Sequence, residues 1–282
     1  MSRERVELFI LKILRVIGIA FFFIITAFPF FWMLVLSFRP LDQVIQHPVA
    51  LPTWEQISSL RTYKGVWFEQ HLGNFVVNSL IVSIATVLLN LVLAILAAYA
   101  ITRLKFRGRK TLSIGILLIY VFPAVIIAVP LFVVFTRLGL RGSLVGVVLV
   151  YLASTLPVAL YMLRSYFQTI PSELEEAGLI DGLSRLGVIW RITIPLAAPA
   201  IAAVALYVFM IAWNEFLFAY LWLLERPDAW TLSLGVQQLD SQEIPKTWLM
   251  AGSVIISVPV IILFFFAERF LTEGLTAGSV KG

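Results

Sequence analysis

Residues able to do bond chemistry are scarce in this chain of 282. It has no cysteine, which excludes disulfides, thiol catalysis and thiolate metal sites. Its two histidines, His47 and His71, are too few for a histidine-based metal centre and read as loop residues facing water or headgroups. A phosphate-cradling loop needs G-x-x-x-x-G-K-[ST], because glycine amides and a lysine must surround the phosphates. Lys110 and Lys246 are followed by threonine, but neither is preceded by glycine. The chain is therefore not expected to hydrolyse ATP, or to hold a metal or cofactor. Two acidic features remain. One is the group Glu173, Glu175, Glu176 and Asp181; the other is Glu215, beside Trp213 and Asn214.

What must position these groups follows from composition. Apolar residues make up 61% of the chain and charged ones 13%, with mean hydropathy +0.98. Soluble domains carry roughly 25% charged residues, so the bilayer is the expected solvent here. The formal charge of +5 does not indicate nucleic acid, since the basic residues form short clusters between apolar runs, with no Arg-rich face bearing stacking aromatics.

Six stretches are long and apolar enough to span: 16–36, 75–101, 112–135, 143–163, 197–222 and 249–267. Each is expected to be helical, because lipid satisfies no backbone polar group. The first is too long for a signal-peptide core and lacks a small-residue cleavage site, so it reads as an uncleaved span. No internal repeat is visible, and residues 1–282 read as one membrane domain. With the amino end inside, the inside segments hold 14 Lys and Arg against 7 outside, including the cluster Arg103, Lys105, Arg107, Arg109 and Lys110. That bias places both termini in the cytoplasm. Pro29, Pro123, Pro130, Pro157, Pro199 and Pro259 fall within five of the spans; each removes a backbone donor and can kink its helix.

Glu215 is the sole Asp, Glu, Lys or Arg well inside these six stretches. It lies roughly 10 Å from the outer surface by helical rise. An ionisable group at that depth marks Glu215, with Asn214, as a candidate for a translocation pathway. The competing reading is a hydrogen-bonding cluster between helices. No His pair, Ser/His arrangement or paired carboxylate stands at membrane depth, which argues against an intramembrane enzyme.

The inside segment 164–196 is the most informative. Ser172 followed by Glu175 has capping-box spacing, so a helix is expected from about Glu173. Glu173, Glu175 and Glu176 crowd its first turn, where the helix dipole favours negative charge. Leu174, Ala177, Gly178 and Asp181 share one side, where the small residues admit a close neighbour, and Gly182 is a natural stop.

Here the chain resembles the permease subunits of binding-protein-dependent ABC importers. Their pattern E-A-A, three residues, G, nine residues, I-x-L-P reads Glu176-Ala177-Gly178, Gly182 and Ile192-Thr193-Ile194-Pro195 in this chain. Gly178 replaces the second alanine and Ile194 the leucine. The segments Phe75–Ser83, Ala212–Ala219 and Gly274–Gly282 resemble the MalG-type, carbohydrate-importing branch, and the likeness covers most of the chain from about residue 20.

That resemblance implies an all-α type I importer permease fold with six transmembrane helices and a cytoplasmic coupling helix. It implies that Glu176 meets a basic residue in a cleft of the ATPase, with Ala177 and Gly178 as the close-contact face and Gly182 as the turn. Glu175, Asp181 and Pro195 belong to the same coupling segment. The implied partners are a second permease, two copies of an ATPase that hold ATP and Mg, and an extracytoplasmic solute-binding protein. The outside segments 37–74 and 223–248 would meet that binding protein, with Gln237, Gln238 and Asp240 as contact candidates, and the tail 274–282 would approach the ATPase dimer. A non-sugar cargo is the main alternative. An ion-coupled secondary transporter is disfavoured, because such proteins show repeats and several intramembrane charges.

Overall fold

The computed structural model describes residues 3–121 and 123–278, and its regular structure among them is helical. The chain opens with α1, Arg3–Ser37, whose large apolar residues from Leu8 to Phe31 are exposed. Three short helices follow: α2 (Leu41–Gln46), α3 (Trp54–Ser59) and α4 (Arg61–Lys64), the last continuing as a π-turn over Gly65–Glu69. Next come α5 (Leu72–Arg103), α6 (Arg109–Val121), α7 (Ala124–Arg137) and α8 (Leu144–Phe167). Between the long helices lie α9 (Ser172–Ile180), α10 (Arg185–Val188), a π-turn over Ile189–Thr193 and α11 (Ile194–Leu196). The chain closes with α12 (Ala198–Asn214), α13 (Leu217–Leu223), α14 (Leu232–Gln238) and α15 (Lys246–Gly278).

Among the described residues, α1, α5, α8 and α15 are each long and apolar enough to cross a bilayer. The run Arg185–Leu196 and α12 are long and apolar enough only when taken together, across a bend of 82° at Ala197. Two expected spans are not continuous helices. The stretch 112–135 is divided between α6 and α7, with Pro123 in an extended backbone conformation (φ −58°, ψ 132°) at the start of α7. The stretch 197–222 is divided at Glu215 (φ −66°, ψ 128°), between α12 and α13. Pro29, Pro130, Pro157 and Pro259 lie inside helices as expected, whereas Pro199 occupies the first turn of α12. Its missing N–H has no partner to lose there.

The contacts group into two units. One comprises residues 1–72 with 236–257, the other 73–235 with 258–282. In the second, α5, α8 and α12 pack through Ala94, Ala98, Leu160, Leu163, Phe167, Val204 and Val208. Alanines allow the close backbone approach on which packing in lipid depends. A second cluster joins α5, α8 and α13 through Val82, Val147, Tyr151, Phe218 and Trp222. Asn90 of α5, fully buried, donates to Thr155 Oγ1 of α8 at 2.8 Å. In the first unit, the Trp248 ring packs so closely on Gly65 that a Cβ there would stand 2.6 Å from it. Arg39, 2% exposed, donates to the carbonyls of Gln43 (2.9 Å), His47 (2.8 Å) and Pro48 (3.4 Å). His47 and His71 are exposed in loops.

Candidate functional site

The segment 172–196 forms a small platform beside the ends of α5 and α8. Its helix α9 starts at Ser172, and Ser172 makes no cap hydrogen bond, so the expected capping box is absent. Pro171 holds the cap position and Ser172 is already the first helical residue, which leaves Glu175 to other partners. Only 4% exposed, it accepts from Arg103 Nε at 3.0 Å through Oε2 and from Thr193 Oγ1 at 3.2 Å through Oε1. Arg103, in the last turn of α5, also donates through Nη2 to the carbonyls of Phe167 (3.0 Å) and Ile170 (2.8 Å). One guanidinium thus ties the ends of α5 and α8 to the first turn of α9. The Glu175 carboxylate is buried with both oxygens hydrogen-bonded, and the half-buried Arg103 supplies its counter-charge, the arrangement in which a buried charge persists.

α9 ends in a Schellman motif. Gly182, at φ +88°, donates to the Leu179 carbonyl at 3.1 Å, and Leu183 donates to that of Gly178 at 3.0 Å. Only glycine takes that backbone angle without strain. Gly178 serves a different purpose from the one its spacing suggests. It is buried against its own chain, where a Cβ would stand 2.5 Å from Ile192 Cδ1, so it is not part of an open contact face. Ser184 then caps α10 by accepting from Gly187 N at 3.2 Å.

The outward side of the platform carries Glu173, Glu176, Ala177 and Asp181, all exposed, and Gly182 at the turn after α9 and Pro195 within α11 are exposed as well. Beside them stand bare apolar side chains: Leu174, Ile180, Leu186 and Trp190. Ile180, Leu186 and Trp190 were missed in the sequence, although apolar residues in a short segment between spans were a readable signal. Arg103 and Thr193 were missed as positioning residues, because a basic cluster reads first as orientation. Exposed apolar residues gathered beside an acidic helix are a feature of interaction surfaces.

The membrane-depth candidates separate. Asn214 is exposed and donates to the Met210 carbonyl at 2.9 Å, one turn back on α12. Glu215 turns the other way and caps α13, accepting from Phe218 N (2.9 and 3.1 Å) and Ala219 N (3.1 Å). Its own carbonyl accepts from Ser233 Oγ at 2.6 Å. Gln237 and Gln238 are exposed at the end of α14, and Asp240 accepts from Lys246 Nζ at 2.6 Å. Of the tail 274–282, residues 279–282 lie outside the described residues, and α15 runs to Gly278.

Among the described residues the regular structure is helical, with four or five runs long and apolar enough to cross a membrane, which defines a multi-span helical membrane protein. The model of the family described as "Binding-protein-dependent transport system inner membrane component" matches residues 90–276, and the chain belongs to that family. It is a multi-pass inner-membrane permease of an ABC importer, not an enzyme, and ATP hydrolysis falls to a separate subunit. It is 42% identical to the inner membrane ABC transporter permease protein YcjP of Escherichia coli, over 94% of this chain and 95% of that one. It is 36% identical to the trehalose/maltose transport system permease protein MalG of Thermococcus litoralis, over 96% and 97%. Its fold matches a chain in the crystal structure of a bacterial ABC transporter involved in the import of the acidic polysaccharide alginate, with TM-score 0.82 at 23% identity, covering 95% of this chain and 98% of that one.

Proposed function

We propose that this permease conducts a sugar of di- or oligosaccharide size into the cytoplasm, and that α9 is the helix coupling it to the ATPase. The braced platform carries the second point: Arg103, Glu175 and Thr193 hold α9 from behind, while Glu176 and Ala177 stand free on the outer side. A helix tied to the ends of two spans transmits force as a lever, whereas a tethered loop would absorb it. Similarity to relatives named for trehalose/maltose and diacetylchitobiose uptake supports a sugar cargo.

In this reading residues 1–282 act as one permease domain that crosses the membrane six times. α6 and α7 together supply the third crossing, and both termini are cytoplasmic. A second permease completes the cavity, two ATPase subunits with their ATP and Mg sit beneath, and a solute-binding protein delivers cargo outside, against Gln237 and Gln238. Asn214 faces the pathway, while Glu215 shapes the helix break beside it. ATP-driven closure of the ATPase pair moves α9 inward and rocks the spans from inward- to outward-facing.

The test is extraction of the complex from native membranes in mild detergent, with mass spectrometry of what co-purifies and uptake assays on labelled maltose, trehalose and maltotriose. Glu176→Lys should lose the ATPase and Glu176→Ala should weaken its retention, with the fold intact. If every partner stays regardless of residue 176, α9 is not the coupling helix. If no sugar enters, the cargo belongs to another class.

A further inference from the structure

The unit formed by residues 1–72 and 236–257 contains a half-open cavity of about 820 Å³, within segments expected to meet the binding protein but lined by none of the contact candidates Gln237, Gln238 and Asp240. Its volume falls within the roughly 300–1,000 Å³ of small-molecule sites. The walls come from α2, α3, α4 and the start of α15, within the two segments whose low Lys and Arg content places them outside. The chemistry of those walls is mixed. Asp42, Glu55 and Arg61 are exposed charged groups, and no side-chain hydrogen bond or ion pair engages them among the described residues. Gln43 and Gln56 add amides, and Trp248 adds an aromatic ring.

The cavity is also braced. Arg39 gathers the carbonyls of Gln43, His47 and Pro48 from beneath, which fixes the course of α2 and the loop after it. Thr53 and Gln56 form a reciprocal capping box at the start of α3. The Gln56 side chain then donates to that of Gln43 and links α3 to α2 across the wall. A buried arginine with three carbonyl partners is a heavy commitment for a surface loop whose only task is to connect two helices. Walls held this way lose little freedom when a ligand arrives.

We propose that this cavity is an outside subsite for the transported sugar, a neutral di- or oligosaccharide. The inference rests on the sugar-importer reading above. Free carboxylates, an arginine and amides suit the alternating donors and acceptors of vicinal hydroxyls, and the indole suits an apolar sugar face. With two carboxylates against one guanidinium, the site disfavours acidic sugars such as uronates. The subsite lies where a sugar leaving the binding protein first meets the permease, so it raises the local concentration of cargo at the entrance.

The test uses the whole importer in lipid nanodiscs, without the binding protein, and whichever of radiolabelled maltose, trehalose and maltotriose supports uptake. Wild type should bind that sugar saturably. Asp42→Asn with Glu55→Gln, isosteric changes at exposed positions, should weaken binding about tenfold or more, the scale expected when charged hydrogen-bond partners are lost. Glucuronate should compete poorly. The variants should also raise the sugar concentration needed for half-maximal uptake, with the ATPase still bound. Absence of binding to wild type, or equal binding by the double variant, overturns the subsite while leaving the importer reading intact. If the variants instead weaken capture of the binding protein equally with and without sugar, the cavity is a protein contact and the proposal fails. Should none of the three sugars be taken up, the sugar reading fails first and this inference with it.

Discussion

Arg103 Nε lies 3.0 Å from Glu175 Oε2, joining the last turn of α5 to the first turn of α9 across 72 residues of sequence. The same guanidinium reaches two carbonyls at the end of α8 and just beyond it. Three elements with separate places in the chain are thereby made to move together.

Arg103→Ala leaves the buried Glu175 carboxylate without its cation and takes the guanidinium donor from the Ile170 carbonyl, while the Phe167 carbonyl keeps Ile170 N at 3.3 Å. Loss of one partner of a buried pair costs about 3 kcal/mol or more. The variant should melt at lower temperature in detergent. In proteoliposomes it should lose sugar-dependent stimulation of ATP hydrolysis more than it loses basal hydrolysis. Arg103→Met combined with Glu175→Gln should recover stability relative to the single changes, since residues in contact are not additive. Additive losses would show that the two side chains act independently.

Gly178→Ala drives a methyl group against Ile192 Cδ1, whose distance of 2.5 Å from an ideal Cβ forces that side chain to move. Overpacking of this kind costs about 1–3 kcal/mol, partly offset by the better helix propensity of alanine. Ile192→Val deletes the obstructing carbon and should rescue Gly178→Ala in thermal melts. If the rescue is absent, the penalty arises from another contact, such as that with Leu183.

Glu215 distinguishes a cap from a pathway group. As a cap for α13 it is replaceable by glutamine, which keeps an accepting oxygen. Glu215→Gln should therefore retain uptake within about twofold, and Glu215→Ala should lose about 1 kcal/mol of stability, the usual worth of a cap. Loss of uptake in Glu215→Gln with an unchanged melting profile would instead assign the charge to transport.

Arg39→Met should loosen the loop after α2. Three carbonyls on exposed residues lose the arginine donor, those of Gln43 and His47 keeping His47 N (2.9 Å) and Ala50 N (3.2 Å), so the loss is about 1 kcal/mol for each bond broken. Limited proteolysis between residues 40 and 53 should accelerate, while cleavage within 164–196 should not. Equal acceleration at both would mean that the whole fold, rather than this loop, has been weakened.

Much of the helical framework was legible in advance because its causes are local. The hydropathy of 16–36, 75–101, 143–163 and 249–267 leads to α1, α5, α8 and α15, since a backbone in lipid must satisfy itself. The breaks at Pro123 and Glu215 were less visible. Both interrupt runs that remain apolar on either side, so a hydropathy window passes over them. Glu215 is also a residue whose charge draws notice away from its capacity to cap the next helix.

The platform divides in the same way. Spacing alone was enough to expect a helix near Glu173 and a stop at Gly182, because both depend on residues within a few positions of each other. The direction each side chain faces was decided only in three dimensions. Glu175 and Gly178 lie on the side of α9 that meets Arg103, Thr193 and Ile192, so they turn inward, and Glu176 and Ala177 are left outward. By itself the sequence determined an all-helical membrane permease with an acidic helix between two spans. Which acid anchors that helix and which is offered to a partner was settled by tertiary structure, because burial depends on neighbours that lie up to 72 residues away in the chain.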